Sequence, residues 1–220
     1  MNSFTNSLLI FFTIPLMCFV VYVGYDVPID FMHTTGKEIP YQEYIFLGFG
    51  LVYFMLLVWR SIRRWMGLFI VNKTERFKWN MLVSKARSQR ILVYSLLESG
   101  IMSTVAFAMY VVSDTNHLPG IILYVFSIEG LIFLLLGLKN KFRVGISSKA
   151  VIVSDREVTI AYLTGLRQVT IGNESVYFDY INDLQLSFPT DCIDEQHIES
   201  FRSEIKNVVD RDRVLIRNKY

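Results

Sequence analysis

Apolar and polar positions divide this chain into two parts of different rhythm. Up to residue 138, long apolar runs alternate with shorter polar breaks. Four of those runs, 8–24, 41–59, 91–112 and 119–138, approach the roughly 20 residues a helix needs to cross a hydrocarbon layer about 30 Å thick. From residue 139 the rhythm shortens. Runs at 142–146, 150–154, 157–163, 166–171 and 175–180 are rich in Val, Ile, Tyr and Phe, with Ser-Ser, Ser-Asp, Thr-Gly and Gly-Asn pairs between them. Such spacing predicts an antiparallel meander. One more strand, 184–188, stops at Pro189. Asp194 is placed to cap a helix whose Ile198, Phe201, Ile205, Val208 and Val209 form one apolar stripe. The charged stretch 211–220 is expected to fray. The predicted fold is an α-helical membrane bundle of four transmembrane helices, 1–138, followed by a small α+β domain, 139–220, in which the meander is closed by one C-terminal helix.

The first run has the length of a signal peptide, but no Lys or Arg precedes it and no small-residue cleavage pattern follows, so it is read as a retained span. Pro15 is tolerated in such a helix. Segment 25–40 carries Asp26, Asp30 and Glu38 with Pro28 and Gly36 as breakers and is read as a solvent-exposed loop. Tyr41, Tyr44 and Trp59 flank the second run, where amphipathic aromatics anchor at the interfaces.

Charge then sets an orientation. The loop 60–90 holds Arg60, Arg63, Arg64, Lys73, Arg76, Lys78, Lys85, Arg87 and Arg90 against Glu75 alone. The positive-inside rule places it on the cytoplasmic side. Lys139, Lys141, Arg143 and Lys149 after the fourth run agree, so both termini are expected inside. Trp65, Leu68, Phe69, Phe77 and Trp79 are interleaved with these cations. The loop reads first as an interfacial helix under anionic lipid headgroups. It also reads as a stacking surface for a phosphate-bearing ligand, or as cytoplasmic extensions of the neighbouring helices. No duplex nucleic acid is expected as a partner.

Within the last two spans, Glu98 lies eight residues after Arg90 and Glu129 ten before Lys139. A rise of about 1.5 Å per residue puts the two carboxyls within roughly 3 Å of one another in depth. An ionisable group inside a bilayer marks a functional site by default, and two adjacent carboxyls favour a shared proton. Ser99, Ser103 and Ser127 stand nearby, and the third span is rich in small and hydroxylated residues that let helices approach. Three readings follow: the glutamates line a cation-preferring path built by several protomers, they hold the helices together, or they receive a polar membrane partner. A path would need a symmetric oligomer.

Composition adds mainly exclusions. The 220 residues are 52% hydrophobic with a net charge of +2, too apolar for an ordinary soluble domain. Cys18 and Cys192 fall in different parts, so neither a disulfide framework nor zinc spacing exists. His33, His117 and His197 are scattered, and no phosphate loop or nucleophile elbow is present. No enzyme and no cofactor is expected. The acidic residues Asp191, Asp194, Glu195, Glu199 and Glu204 read as a solvated helix face and dipole partners.

The segments Lys149-Ala-Val-Ile-Val, Ser175-Val-Tyr-Phe-Asp-Tyr-Ile-Asn-Asp-Leu and the helix 194–209 together resemble the bacterial pleckstrin-homology-like domains often attached to multi-pass segments. Membrane helices plus a small β-rich domain also look like bacterial antiphage membrane effectors. The resemblance implies an oligomeric inner-membrane effector or ion channel gated through a cytosolic sensor domain. The alternative is a membrane anchor or scaffold of a multiprotein machine, such as a secretion system, docking a cytosolic protein partner.

Overall fold

A computed structural model describes residues 2–29, 34–113, 116–181, 184–209 and 214–219. The chain forms two compact units: Met1–Ser61 with Ser95–Phe133, and Ile62–Tyr94 with Leu134–Tyr220.

The chain has four long helices, α1 (Asn2–Gly24), α2 (Gln42–Val71), α3 (Lys85–Val112) and α4 (Leu118–Leu138). The first unit takes α1 and most of the other three, while the helix ends 62–71, 85–94 and 134–138 belong to the second. All four are long and apolar enough to cross a membrane, which makes the chain a multi-pass membrane protein. Leu9, Leu16, Val20 and Val23 of α1 pack with Phe46, Tyr53 and Leu57 of α2, Val105, Ala106 and Met109 of α3, and Leu123 of α4. The outer faces are apolar too: Ile10, Phe11, Met55, Leu96, Phe107 and Val125 are exposed. A helix on a water-facing surface would be polar there, so an all-round apolar helix belongs in lipid. Glycines set the closest approaches. A Cβ on Gly120 would stand 2.9 Å from the Ala106 carbonyl oxygen, and one on Gly130 2.4 Å from the Ser99 hydroxyl.

α1 ends in a left-handed turn, with Asp26 at φ 51° and the Val27 N–H donated to the Tyr22 carbonyl. The following segment is not the open loop expected. Strands β1 (Pro28–Ile29) and β2 (Thr34–Thr35) pair antiparallel. Gly36 then packs so tightly on the Tyr22 carbonyl oxygen that a Cβ would stand 1.9 Å away. Residues 30–33, with Asp30 and His33, lie outside the described set.

The second unit contains two four-stranded sheets. In the first, β3 (Trp79–Leu82), β4 (Arg143–Ile146), β5 (Ala150–Ser154) and β6 (Val158–Tyr162) form an antiparallel meander. In the second, β7 (Leu166–Gly172), β8 (Ser175–Tyr180) and β9 (Gln185–Pro189) are antiparallel, and β10 (Leu215–Lys219) joins β7 in parallel. α5 (Ile198–Val208) is introduced by a 3-10 turn that Asp194 caps through the Gln196 N–H. Its Phe201 meets Trp79 and Phe188 edge-on, and Phe188 stacks on Phe178. One buried ring of the helix therefore touches both sheets.

Three expectations are corrected. The stretch 60–90 forms no interfacial helix of its own; of the three readings, extension of the neighbouring helices is the one borne out at both its ends. α2 continues to Val71, a 3-10 turn occupies Thr74–Arg76, β3 pairs with β4, and α3 starts at Lys85. The helix continues because its apolar stripe does: Arg60 and Arg64 lie on that stripe with Leu68 and Val71, all buried. The β-rich part therefore does not start after α4, since its first strand precedes the α3–α4 hairpin. Finally, part of the tail expected to fray is the strand β10, which hydrogen-bonds the otherwise open edge of β7.

Candidate functional site in the helix bundle

The spacing that buries α2 also determines what it carries inward. Phe46, Gly50, Tyr53, Leu57, Arg60 and Arg64 recur every three or four residues, hence on one side of the helix, and all are buried. α3 presents Ser95 and Ser99 on its buried side and α4 presents Ser127.

Arg60 Nη2 forms an ion pair with Glu98 Oε1, although the arginine is only 9% exposed. The next residue, Ser61, donates its hydroxyl to Glu129 Oε1 at 3.1 Å. Ser127 donates to the Ser99 backbone carbonyl at 2.8 Å. Consecutive residues of α2 thus hold a glutamate of α3 and a glutamate of α4. Glu129 stands eleven residues after Leu118 and nine before Leu138, so this belt lies roughly 15 Å from either end of α4. Arg60 is therefore not part of a cytoplasmic surface. It lies level with the middle of a spanning helix. The two glutamates do share a level, and each has a partner on α2. Of their seryl neighbours, Ser127 donates to backbone, Ser99 is buried and Ser103 is half-buried on α3.

The remaining cations separate into groups. Arg64 is buried and Arg63 half-buried on α2. Lys73, Arg76, Lys78 and Lys85 are exposed. Arg87 and Arg90, on the first turns of α3, are engaged within the second unit. Arg87 Nε and Nη2 both donate to Asp155 Oδ2, at 3.1 and 2.9 Å, and Arg90 pairs with Asp191. Ser84 precedes α3, accepts the Arg87 N–H and donates its own hydroxyl to the Asp191 carbonyl. Cys192 is buried beside them with its thiol 3.7 Å from Asp155. Burial first, and the neighbouring Asp155 carboxylate second, push that thiol well above the usual thiol range. Asp191, expected on a solvated helix face, is thus an ion-pair partner.

Sequence reasoning missed Ser61, Asp155 and the inward role of Arg60. The spacing of Tyr53, Leu57, Arg60 and Arg64 carried the signal for Arg60. Nothing local marks Asp155. Among the described residues no group of three or more His, Cys, Asp and Glu side chains is arranged to hold a metal ion. The chain matches no family model, no curated protein and no solved structure.

Proposed function

We propose that this protein is an oligomeric membrane effector of the ion-channel type, in which the β-rich unit receives a signal and biases the helices. The observation that carries this reading is the belt itself. A buried arginine pairs with Glu98 while the adjacent serine holds Glu129, near the middle of a spanning helix. Charge at such a depth is costly and marks function by default. As arranged, the belt is a closed element, because Arg60 neutralises Glu98. Parting the pair would expose carboxylate oxygens to a water path between protomers and favour cations.

The basic residues support a bacterial inner-membrane protein with both termini and the β-rich unit cytoplasmic. A pleckstrin-homology-like reading of that unit is supported by its order of four-stranded meander, three antiparallel strands and covering helix. In this reading Lys73, Arg76 and Lys78 face anionic headgroups or a phosphate-bearing signal, a role in antiphage defence is consistent with the plan, and no catalytic step is assigned.

A second reading, a non-conducting anchor of a larger assembly, is favoured by one observation: the pairing of Arg60 with Glu98 is complete within a single protomer. Ion flux from liposomes separates the two. The channel reading expects a flux that changes in Glu98→Gln, Glu129→Gln and Arg60→Gln. Absence of flux in the wild type and all three variants, with a monomer in native mass spectrometry, would leave the anchor.

A further inference from the structure

The turn between β5 and β6 is seated among helix ends of its own unit. Val158, at the start of β6, faces Gly67 of α2 so closely that a Cβ on residue 67 would stand 2.1 Å from a Val158 methyl carbon. Arg156 lies over the Tyr94 ring of α3 with its guanidinium carbon 5.9 Å from the ring centroid. Asp155 takes both hydrogen bonds from Arg87 of α3, and its other oxygen accepts the Glu157 N–H at 3.0 Å, which fixes the turn. Three of four consecutive residues thus grip two helices by three kinds of contact: packing, cation–π and ion pair. On the other side of the α3 foot, Ser84 is tied to the backbone of Asp191 and Cys192.

Further along α3, Arg87 and Glu98 are eleven residues apart. That separation is close to three turns, so both project from the same side of the helix. A helix that is clamped by its foot moves as a rod, and a tilt or rotation there shifts Glu98 relative to its partner.

We propose that the Asp155–Val158 turn is the coupling wedge of this protein: a change in the first sheet moves the turn, the turn moves the feet of α2 and α3, and α3 carries the movement to the Arg60–Glu98 pair. Gly67 is the notch that admits the wedge, and Arg87 is a positioning residue. The wedge rests on the effector reading for its purpose, yet its mechanics are testable without any flux.

The test is hydrogen–deuterium exchange on the full chain in nanodiscs, comparing wild type with Gly67→Val, Asp155→Asn and the swapped pair Arg87→Asp with Asp155→Arg. Coupling predicts that exchange accelerates about tenfold not only in 85–94 and 154–159 but also in 95–104, and that the swapped pair returns 95–104 toward wild type. Acceleration confined to 85–94 and 154–159 would overturn the wedge, whether or not the protein conducts. Should Gly67→Val fail to fold, Asp155→Asn decides alone. Spreading exchange in a protein that passes no ions and is a monomer in native mass spectrometry would keep the wedge and sink the channel.

Discussion

Two of the arginine–carboxylate pairs that involve α3, Arg60–Glu98 and Arg87–Asp155, are held in different ways. At the bundle belt, Arg60 and Glu98 come from two helices that both contribute to the buried apolar cluster of the bundle, through Tyr53, Leu57 and Val105 among others. At the foot of the helix, Asp155 sits in a turn of its own making. Besides the two bonds from Arg87 it receives a backbone N–H and faces a buried thiol. The partners differ in what remains when one is removed. Asp155 keeps a fixed backbone donor. Glu98 at mid-helix loses a cation partner at a depth where charge is costly. A pair whose acid keeps a fixed backbone donor is a fastener, whereas one at mid-depth is a constraint that demands both members.

The largest expected effect follows from that contrast. Arg60→Leu or Glu98→Leu alone should destabilise the protein by about 3–5 kcal/mol, as breaking a buried pair does, while the double substitution should recover most of the loss. Reversible unfolding in mixed micelles, run as a double-mutant cycle, measures this. Single variants as stable as wild type would break the comparison, since the belt would then be no more demanding than a surface pair. The foot should respond less. Arg87→Gln removes two charge-assisted hydrogen bonds and should cost about 1.5–3 kcal/mol, read in the same assay. A larger loss at Arg87 than at Arg60 would reverse the ranking of fastener and constraint.

These two pairs also show what could be read from the sequence. The four spans and most strands were legible because their periods are long or regular: β5 and β8 fall at the limits the runs predict, 150–154 and 175–180. The end of the second span was not. Arg60, Arg63 and Arg64 look like the start of a polar loop until the partner of Arg60 is known, because a charge is tolerated on a buried stripe only when a counter-charge is supplied. Glu98 announced the belt as an isolated acid in an apolar run, but no local pattern says that its partner lies one helix back. The strand β3 was hidden for a related reason. Trp79–Leu82 is four residues long and its partner β4 follows only after the whole α3–α4 hairpin. Pairing across such an insertion leaves no short-range signal. β10 is hidden likewise, since its sequence is charged and its neighbour β7 lies far upstream.

The smallest effect sharpens the description of the foot. Cys192 is buried among Asp155, Arg87 and Asp191, and burial with the adjacent carboxylate raises its thiol. A group whose pKa is raised on folding contributes stability that is fully present below the unfolded thiol value near 8.5, and the contribution fades as pH climbs beyond it. The wild type should therefore lose up to about 1.4 kcal/mol per pH unit between roughly pH 8.5 and 10 from this group, as the unfolded thiol ionises and the folded one does not. Lysines and tyrosines titrate in the same range, so the comparison is with Cys192→Ala, whose curve should be flatter by that amount. A maleimide at pH 8 should leave Cys192 unmodified until the chain unfolds, and Asp155→Asn should speed its modification by removing the charge that opposes the thiolate. Equal slopes in wild type and Cys192→Ala, with rapid labelling of the folded protein, would mean that the foot of α3 is open to water, and the distinction between the two pairs would then rest on the belt alone.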